Sequence, residues 1–511
     1  MAKYLVNYLD RQSKISRDIY GNFAEHLGRD IYDGLWVGKN SDIPNIGGVR
    51  KDVIEALRHI KLPVLRWPGG CFADTYHWKD AVGPQEERKS IVNGVWGATA
   101  EDNSFGTDEF MNMCEEIGCD AYISGNLGTG TVQEMVDWVE YITGTGPSEM
   151  ANLRRKNGRE KPWNLKYFGI GNEVWGGGGM MTPEYYANTY RQYHTFLKSK
   201  GFGQQNSIQF IASGPSSDDY DFTDKVTDIL HKPTYPMQHV SKAALMDGLS
   251  LHHYAFGFSS DKSQYFRLRT AQDFDETEWY ALLKRGAVTD ELIRRHDVIM
   301  SKYDPDKKIG LMVDEWGSWY AAEPGTNPAH LFQQNTVRDA VLAGIYLNIF
   351  NKHSDRVHMA TCAQLINVLQ AVILTKGDKM LLTPTYHVLD LFKEHMDTTL
   401  LGSHIENATV GLGEDTLPKF FESASVDSDG DVTITLVNTS YSEAEAIDAT
   451  LYGANIKAAS AEIVTGEPHA CNTFDKPDEV RLNPHPVTVT DSGFKMDLPA
   501  ASVVRVRLSI A

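Results

Sequence analysis

Leu165-Lys166-Tyr167-Phe168-Gly169-Ile170-Gly171-Asn172-Glu173-Val174-Trp175 opens as a short aromatic and β-branched run, then turns polar at Asn172-Glu173, ahead of Gly176 to Gly179. A buried strand delivering polar groups to a cleft has this form. Glu is depleted in strands and its charge is costly to bury, so Glu173 needs a structural partner or a chemical task. Lys308-Ile309-Gly310-Leu311-Met312-Val313-Asp314-Glu315-Trp316 has the same form. Two strands, each ending in a carboxylate, predict a pair acting together.

Outward from these two stretches the pattern recurs. Tyr20 to His26 and Leu62 to Gly70 read as strands that run into polar residues or a tight turn. Asp120 to Asn126, Ser207 to Gly214, Gly248 to Tyr254 and Ala360 to Asn367 complete the set. Helical segments separate them: Gly48 to His59; one capped by Thr107 and stopped by Gly118; Val132 to Ile142; and one opened by Thr182-Pro183. Others fall near 278 to 302, 332 to 351, and from Thr383-Pro384 to His395. Eight strand-then-helix units over residues 16–397 predict an α/β fold, a (β/α)8 TIM barrel with its site at the C-terminal ends of the strands. A doubly wound open sheet would carry a Gly-rich dinucleotide turn after its first strand, and Gly21-Asn22-Phe23 is not one.

Beyond residue 397 the texture changes. Asp431 to Val437 and Val504 to Ile510 alternate with period two, punctuated by Gly, Asp, Asn and Pro, which predicts a C-terminal antiparallel β-sandwich, jelly-roll-like. Residues 1–15 have no place in a barrel of eight units and are assigned with 398–511 to that domain. The insertions near 74 to 106 and 255 to 300 read as long loops on the barrel face.

Composition narrows the function. The 511 residues carry a net charge of −19, without the concentration of Lys and Arg that phosphate binding needs, so no nucleic-acid partner is expected. No apolar leader or membrane-length run is visible, which predicts a cytoplasmic protein with no membrane partner. Five cysteines (Cys71, Cys114, Cys119, Cys362, Cys471) fit reduced thiols, and the Cys114/Cys119 spacing is not that of a zinc site. His252 and His253 cannot face one way on a strand; no metal and no cofactor is expected, and His252 is the one placed to line the site.

Glycoside hydrolysis needs two carboxyl groups about one acetal bond, one protonated and one ionised. Glu173 and Glu315, ending the fourth and seventh strands, meet that requirement. Strand alternation lets only one of Asp314 and Glu315 face the substrate, leaving the other paired within the barrel wall. Trp36, Trp67, Trp78, Trp96, Trp175, Trp316 and Trp319 are candidates for stacking on sugars, with about half of them expected in the core. Of these, Trp96 and Trp316 are assigned to substrate binding. Gly176 to Gly179 lacks the Lys-Ser/Thr of a phosphate loop and reads as a mobile connection.

Tyr20 to Arg29, Arg66-Trp67-Pro68-Gly69-Gly70, Phe105 to Phe110, Gly171-Asn172-Glu173 and Asp314-Glu315-Trp316 together resemble glycoside hydrolase family 51, the α-L-arabinofuranosidases, block for block and in order. The resemblance implies a barrel with an appended sandwich and a retaining double displacement with Glu173 as acid/base and Glu315 as nucleophile. It also places Glu25, Asn172, Tyr254 and Gln364 in the sugar pocket. Chemically, Glu25 and Gln364 suit hydroxyls, Asn172 the 2-OH, and Tyr254 a hydrogen bond to the nucleophile. The apolar strand before Glu173 is expected to keep its acid form neutral by desolvation. Cys71 stands where some members carry Asn and others Cys; a thiol bonds a sugar more weakly than an amide and widens tolerance for other glycosides.

The function expected is therefore a retaining exo-acting α-L-arabinofuranosidase removing terminal arabinofuranosyl residues from arabinoxylan, arabinan and oligosaccharides. Family resemblance adds a homo-oligomer, often a hexamer. An endo-β-1,4-glucanase or xylanase of the same family, and a non-catalytic carbohydrate-binding protein, are the competing readings; the second leaves the intact Glu173 and Glu315 without a purpose.

Overall fold

The computed structural model describes residues 1–200, 208–231, 245–264 and 266–511. Eight strands form a closed barrel: β1 (Gly21–Phe23), β2 (Val64–Trp67), β3 (Asp120–Gly125), β4 (Tyr167–Ile170), β5 (Gln209–Ala212), β6 (Gly248–Phe256), β7 (Gly310–Trp319) and β8 (Val357–Ala363). They follow one another around the ring in chain order. Neighbours are parallel, with Val64 opposite Asp120, Tyr122 opposite Tyr167, and Ile211 opposite Gly248. Parallel strands covered by helices are buried on both faces, which is why β2, β4 and β7 read as near-continuous apolar runs.

Several boundaries move. The fifth strand begins at Gln209, and Ser207, its expected start, lies outside the described residues. β8 ends at Ala363, so the expected Ala360 to Asn367 strand is displaced toward the N-terminus. The apolar residues 365 and 366 are buried in a loop instead, where the Gln364 N–H reaches the Val368 carbonyl and Asn367 is left-handed. Thr107 is the first helical residue rather than the cap. Glu109 accepts the Gly106 N–H at 3.0 Å, and the Thr107 hydroxyl is occupied by the Trp138 indole. Gly118, at φ 86°, ends that helix as expected. The insertions are not plain loops. Residues 74–106 hold short 3₁₀ turns and a hairpin of Ile91–Asn93 with Thr99–Glu101, and 255–300 holds most of two helices, Glu276–Ala287 and Thr289–Ser301.

A ten-stranded sheet contains the N-terminal strand Ala2–Lys14 and nine of the strands between Thr399 and Ile510, while Thr409–Leu412 and Asp415–Pro418 pair separately as a hairpin. The N-terminal strand is antiparallel to Thr399–Ile405 and parallel to Glu445–Tyr452, so the sheet is mixed rather than wholly antiparallel. Its alternation is visible in the sequence: Tyr4 and Val6 are buried while Lys3 and Leu5 are exposed. Tyr4 and Val6 pack with Ile434, Leu436, Val504 and Val506 in one core.

Packing divides the chain into two compact units, Gly21–His252 with Leu292–Asp314, and Met1–Tyr20 with His253–Glu291 and Glu315–Ala511. The second unit includes helices as well as the ten-stranded sheet because they bond to it directly. Trp279 donates to the Thr439 backbone carbonyl, and the Asn348 side-chain Oδ1 accepts from the Ser423 and Thr435 hydroxyls at 2.7 Å each. In the first unit, Trp67 stacks on Phe110 and meets Trp138 edge-on, filling the space between β2 and its helices. Among the described residues no helix is long and apolar enough to cross a membrane.

Candidate active site

The first compact unit carries most of the candidate residues on the C-terminal ends of its strands. Arg66 lies in β2, between apolar residues, and a charge there must be paired. Its Nε donates to the Ser124 hydroxyl at 3.1 Å, one terminal nitrogen to the Asp314 carbonyl at 3.0 Å, and the other to Asn172 Oδ1 at 2.6 Å. The guanidinium also lies over the Phe23 ring at 4.5 Å. Asn172 is thereby oriented through its oxygen, and its buried Nδ2 has no partner among the described residues.

Just past β4 the chain turns through Gly171 (φ 86°) and Glu173 (φ 41°). A left-handed glutamate costs about 1 kcal/mol or more, so the surrounding bonds must hold it. They do. The Glu173 carbonyl accepts the N–H groups of Gly176 and Gly178 at 2.8 and 3.1 Å. A Cβ on Gly178 would lie 1.8 Å from the Asn172 carbonyl oxygen, so only glycine closes this turn. The glycine run is thus a tight turn, not the mobile connection expected.

The Glu173 carboxylate meets His252 Nδ1 at 2.9 Å and accepts the Cys71 thiol at 3.6 Å. Burial pushes its carboxyl up, but the His252 bond and charge, the thiol and Arg66 outweigh burial and hold it below the usual range. Desolvation by the apolar strand was expected to keep this group neutral, and the polar contacts from neighbouring strands reverse the sign.

Glu25 follows β1. Its Oε1 accepts the Gly70 and Phe72 N–H groups at 3.0 and 3.1 Å and the Trp96 indole at 3.1 Å. This ties the β1 loop to the turn that carries Cys71 and to the hairpin that carries Trp96. Arg29, four residues on, pairs with Asp33. Asp74 completes the frame, accepting the Leu127 and Gly128 N–H groups at 2.8 and 2.9 Å. Burial pushes its carboxyl up to about 7, against those donors, the Asn172 N–H and Arg66.

Asp314, in β7, is 1% exposed. It accepts the Tyr122 phenol at 2.8 Å and lies 3.3 Å from His252 Nε2. It is the more deeply buried of the Asp314-Glu315 pair, but alternation does not separate the two as expected: His252 and Tyr254, on one face of β6, meet Asp314 and Glu315 respectively. Burial would raise its carboxyl, yet Arg66, His252 and Tyr122 together lower it to about 2.

The second unit carries Glu315, Trp316, Tyr254 and Gln364. Tyr254 donates to Glu315 Oε2 at 2.7 Å, and Gln364 is buried just beyond β8. Trp316 is fully buried, its ring 5.1 Å from Tyr346 and 5.8 Å from Phe350 of the following helix. It packs the core and offers no surface for a sugar, contrary to its assignment. His253 faces away from His252, onto Thr289 and Tyr346. Of the seven tryptophans considered, Trp36, Trp67, Trp78 and Trp316 are buried, while Trp96, Trp175 and Trp319 keep partial exposure.

Sequence reading did not assign Arg66, Tyr122 or Asp74 to the site. Arg66 was detectable: an arginine inside Val64-Leu65-Arg66-Trp67 has no exposed face. Tyr122 and Asp74 look like ordinary core and turn residues, and only their partners reveal them.

A closed (β/α)8 barrel with one glutamate just past β4 and another inside β7, which runs on to Trp319 rather than ending at Glu315, fits the class of barrel glycoside hydrolases. Residues 56–254 match the model of the α-L-arabinofuranosidase 1 domain, and residues 314–502 that of the α-L-arabinofuranosidase C-terminal domain. The chain is 48% identical over 498 residues to an intracellular exo-α-L-arabinofuranosidase of Bacteroides ovatus, covering 97% of this chain and 93% of that one. It is 36% identical over 489 residues to α-L-arabinofuranosidase C of Emericella nidulans, covering 92% and 91%. A crystal structure of the GH51 arabinofuranosidase from Xanthomonas axonopodis pv. citri matches with a TM-score of 0.93 at 42% identity, covering 99% of each chain. The chain belongs to the α-L-arabinofuranosidases of glycoside hydrolase family 51.

Proposed function

We propose that the protein is a retaining, exo-acting α-L-arabinofuranosidase in which Glu173 is the acid/base and Glu315 the nucleophile. The observation that carries this reading is that these two glutamates lie just past β4 and inside β7 of one closed barrel, each hydrogen-bonded by a residue of β6. In the first step a Glu315 oxygen attacks the anomeric carbon and the glycosidic bond breaks. The leaving oxygen takes its proton from Glu173. In the second step Glu173 takes a proton from water, whose oxygen displaces Glu315 and releases the sugar with its configuration retained. Tyr254 steadies the Glu315 carboxylate, and Asn172 Nδ2 is a donor for the 2-OH. Glu25, Cys71, Trp96 and Gln364 form the rest of the sugar site, with His252 beside the acid.

Terminal arabinofuranosyl residues of arabinoxylan, arabinan and their oligosaccharides are the proposed substrates. The protein acts in the cytoplasm, in keeping with the name of the Bacteroides ovatus relative, and assembles as a homo-oligomer such as a hexamer. Residues 16–397 form the catalytic domain, and 1–15 with 398–511 the accessory one. Comparing nitrophenol release from the α-L-arabinofuranoside, β-xyloside and β-glucoside tests the assignment. The first should be fastest by a wide margin, and no release from it ends this reading. Glu173→Ala should regain turnover of the nitrophenyl substrate with added azide, which replaces the base-activated water.

A further inference from the structure

The two carboxylates flanking His252 determine where its protons lie. Asp314 faces Nε2 at 3.3 Å, takes the Tyr122 phenol, and has Arg66 Nε 3.9 Å away. With these partners it remains an anion, an acceptor with no hydrogen to give, and an anion 3.3 Å from Nε2 favours a hydrogen on that nitrogen, although the contact lacks the alignment of a hydrogen bond. On the other side, Nδ1 lies 2.9 Å from Glu173 Oε1. Two acceptors cannot meet there. The contact holds one proton, written either as a Glu173 hydroxyl donating to a bare Nδ1, or as an imidazolium donating to the Glu173 carboxylate.

Resting on the reading of Glu173 as the acid, we propose that His252 is a positioning residue that shares the acid's proton, so that activity is lost at high pH when the Glu173–His252 pair as a unit gives up that proton. The proton moves along the 2.9 Å contact onto Glu173 as the leaving oxygen departs, leaving a carboxylate beside a neutral imidazole. In the second step the proton taken from water restores the pair. Nothing else is gained or lost.

The groups facing the pair favour this arrangement. From β7, Asp314 stabilises a charged imidazole; from β2 and the turn after it, Arg66 and the Cys71 thiol stabilise a charged Glu173. Tyr122 of β3 acts on Asp314, and Asp74 anchors the loops on either side. A pair of this kind gives up its last proton as a unit, and later than a lone carboxyl would, because an imidazole beside an anion holds a proton more tightly than a carboxylate does.

His252→Asn keeps an amide donor near the Nδ1 position but cannot accept a proton. The alkaline limb of kcat/KM should fall by at least about 1 pH unit in this variant. At neutral pH, hydrolysis of an alkyl arabinofuranoside should drop about tenfold or more, while a dinitrophenyl arabinofuranoside, which leaves with little acid help, should lose less than about threefold. Tyr122→Phe leaves Asp314 a stronger acceptor and should move the limb upward, which provides a second reading if the first variant does not fold. An alkaline limb unmoved in a folded variant, or equal losses on both leaving groups, overturns the shared proton. Absence of azide rescue in Glu173→Ala would instead overturn the role of Glu173 itself, so the two failures are distinguishable.

Discussion

Glu173 and Glu315 are the same residue type on two elements of one barrel, and their surroundings differ in kind. Glu173 lies past the end of β4, on left-handed backbone, bonded to an imidazole and a thiol with a guanidinium close by. Glu315 lies inside β7 on regular extended backbone and accepts a phenol. The group proposed to give and take a proton sits among groups that exchange protons or carry charge. The group proposed to attack as an anion is held by a phenol that donates to it. The difference teaches that the division of labour is set by neighbours, not by the carboxylates.

The largest test of that contrast removes each side chain. Glu315→Ala should lower turnover of every arabinofuranoside by about 10⁵-fold whatever the leaving group, whereas Glu173→Ala should lose far less on an activated aryl substrate. Equal losses measured across a leaving-group series would erase the distinction. Tyr254→Phe, which takes one hydrogen bond from Glu315, should cost about 10 to 100-fold in kcat with KM little changed; a change in KM alone would make Tyr254 a binding residue.

A smaller effect sharpens the comparison through stability. Asp74 supports the Glu173 side only, and its carboxyl is raised by burial from 3.8 to about 7 in the folded protein. Between those values the folded state binds the proton more tightly than the unfolded chain, so stability falls as pH rises from about 4 to about 7. Asp74→Asn keeps an oxygen for the Leu127 and Gly128 N–H groups and removes this decline. Its thermal midpoint should gain on the parent between about pH 5 and pH 8, and a parallel pair of curves would contradict the raised carboxyl. The smallest effect expected is that of Cys71→Ala. A thiol is a weak donor, so turnover should change by only about two to fivefold, and the alkaline limb should move slightly upward as the carboxylate loses a partner.

The barrel was legible because its signals are local. Apolar runs of strand length, helix caps and polar strand ends recur eight times, and each is read within about ten residues. The glutamates were legible for the same reason, as charges standing at the ends of apolar strands. Misplacements fall where local signals conflict. Leu365-Ile366 looks like strand and is buried loop, and Thr107 looks like a cap but spends its hydroxyl on Trp138. Trp316 follows the candidate Glu315 in sequence, yet its ring packs against Tyr346 and Phe350 in the helix layer, so an aromatic beside a site residue need not face the site.

Sequence by itself determined the alternation of strand and helix, the period-two texture after residue 397, and the identity of the two candidate glutamates, since propensity, periodicity and the cost of burying a charge act on neighbours along the chain. Only the tertiary structure decided which groups touch those glutamates. His252 reaches Glu173 across 79 positions, and Arg66 reaches Asn172 across 106. Such pairings arise from the order in which strands close a ring, and they reversed the direction in which burial alone would have moved Glu173.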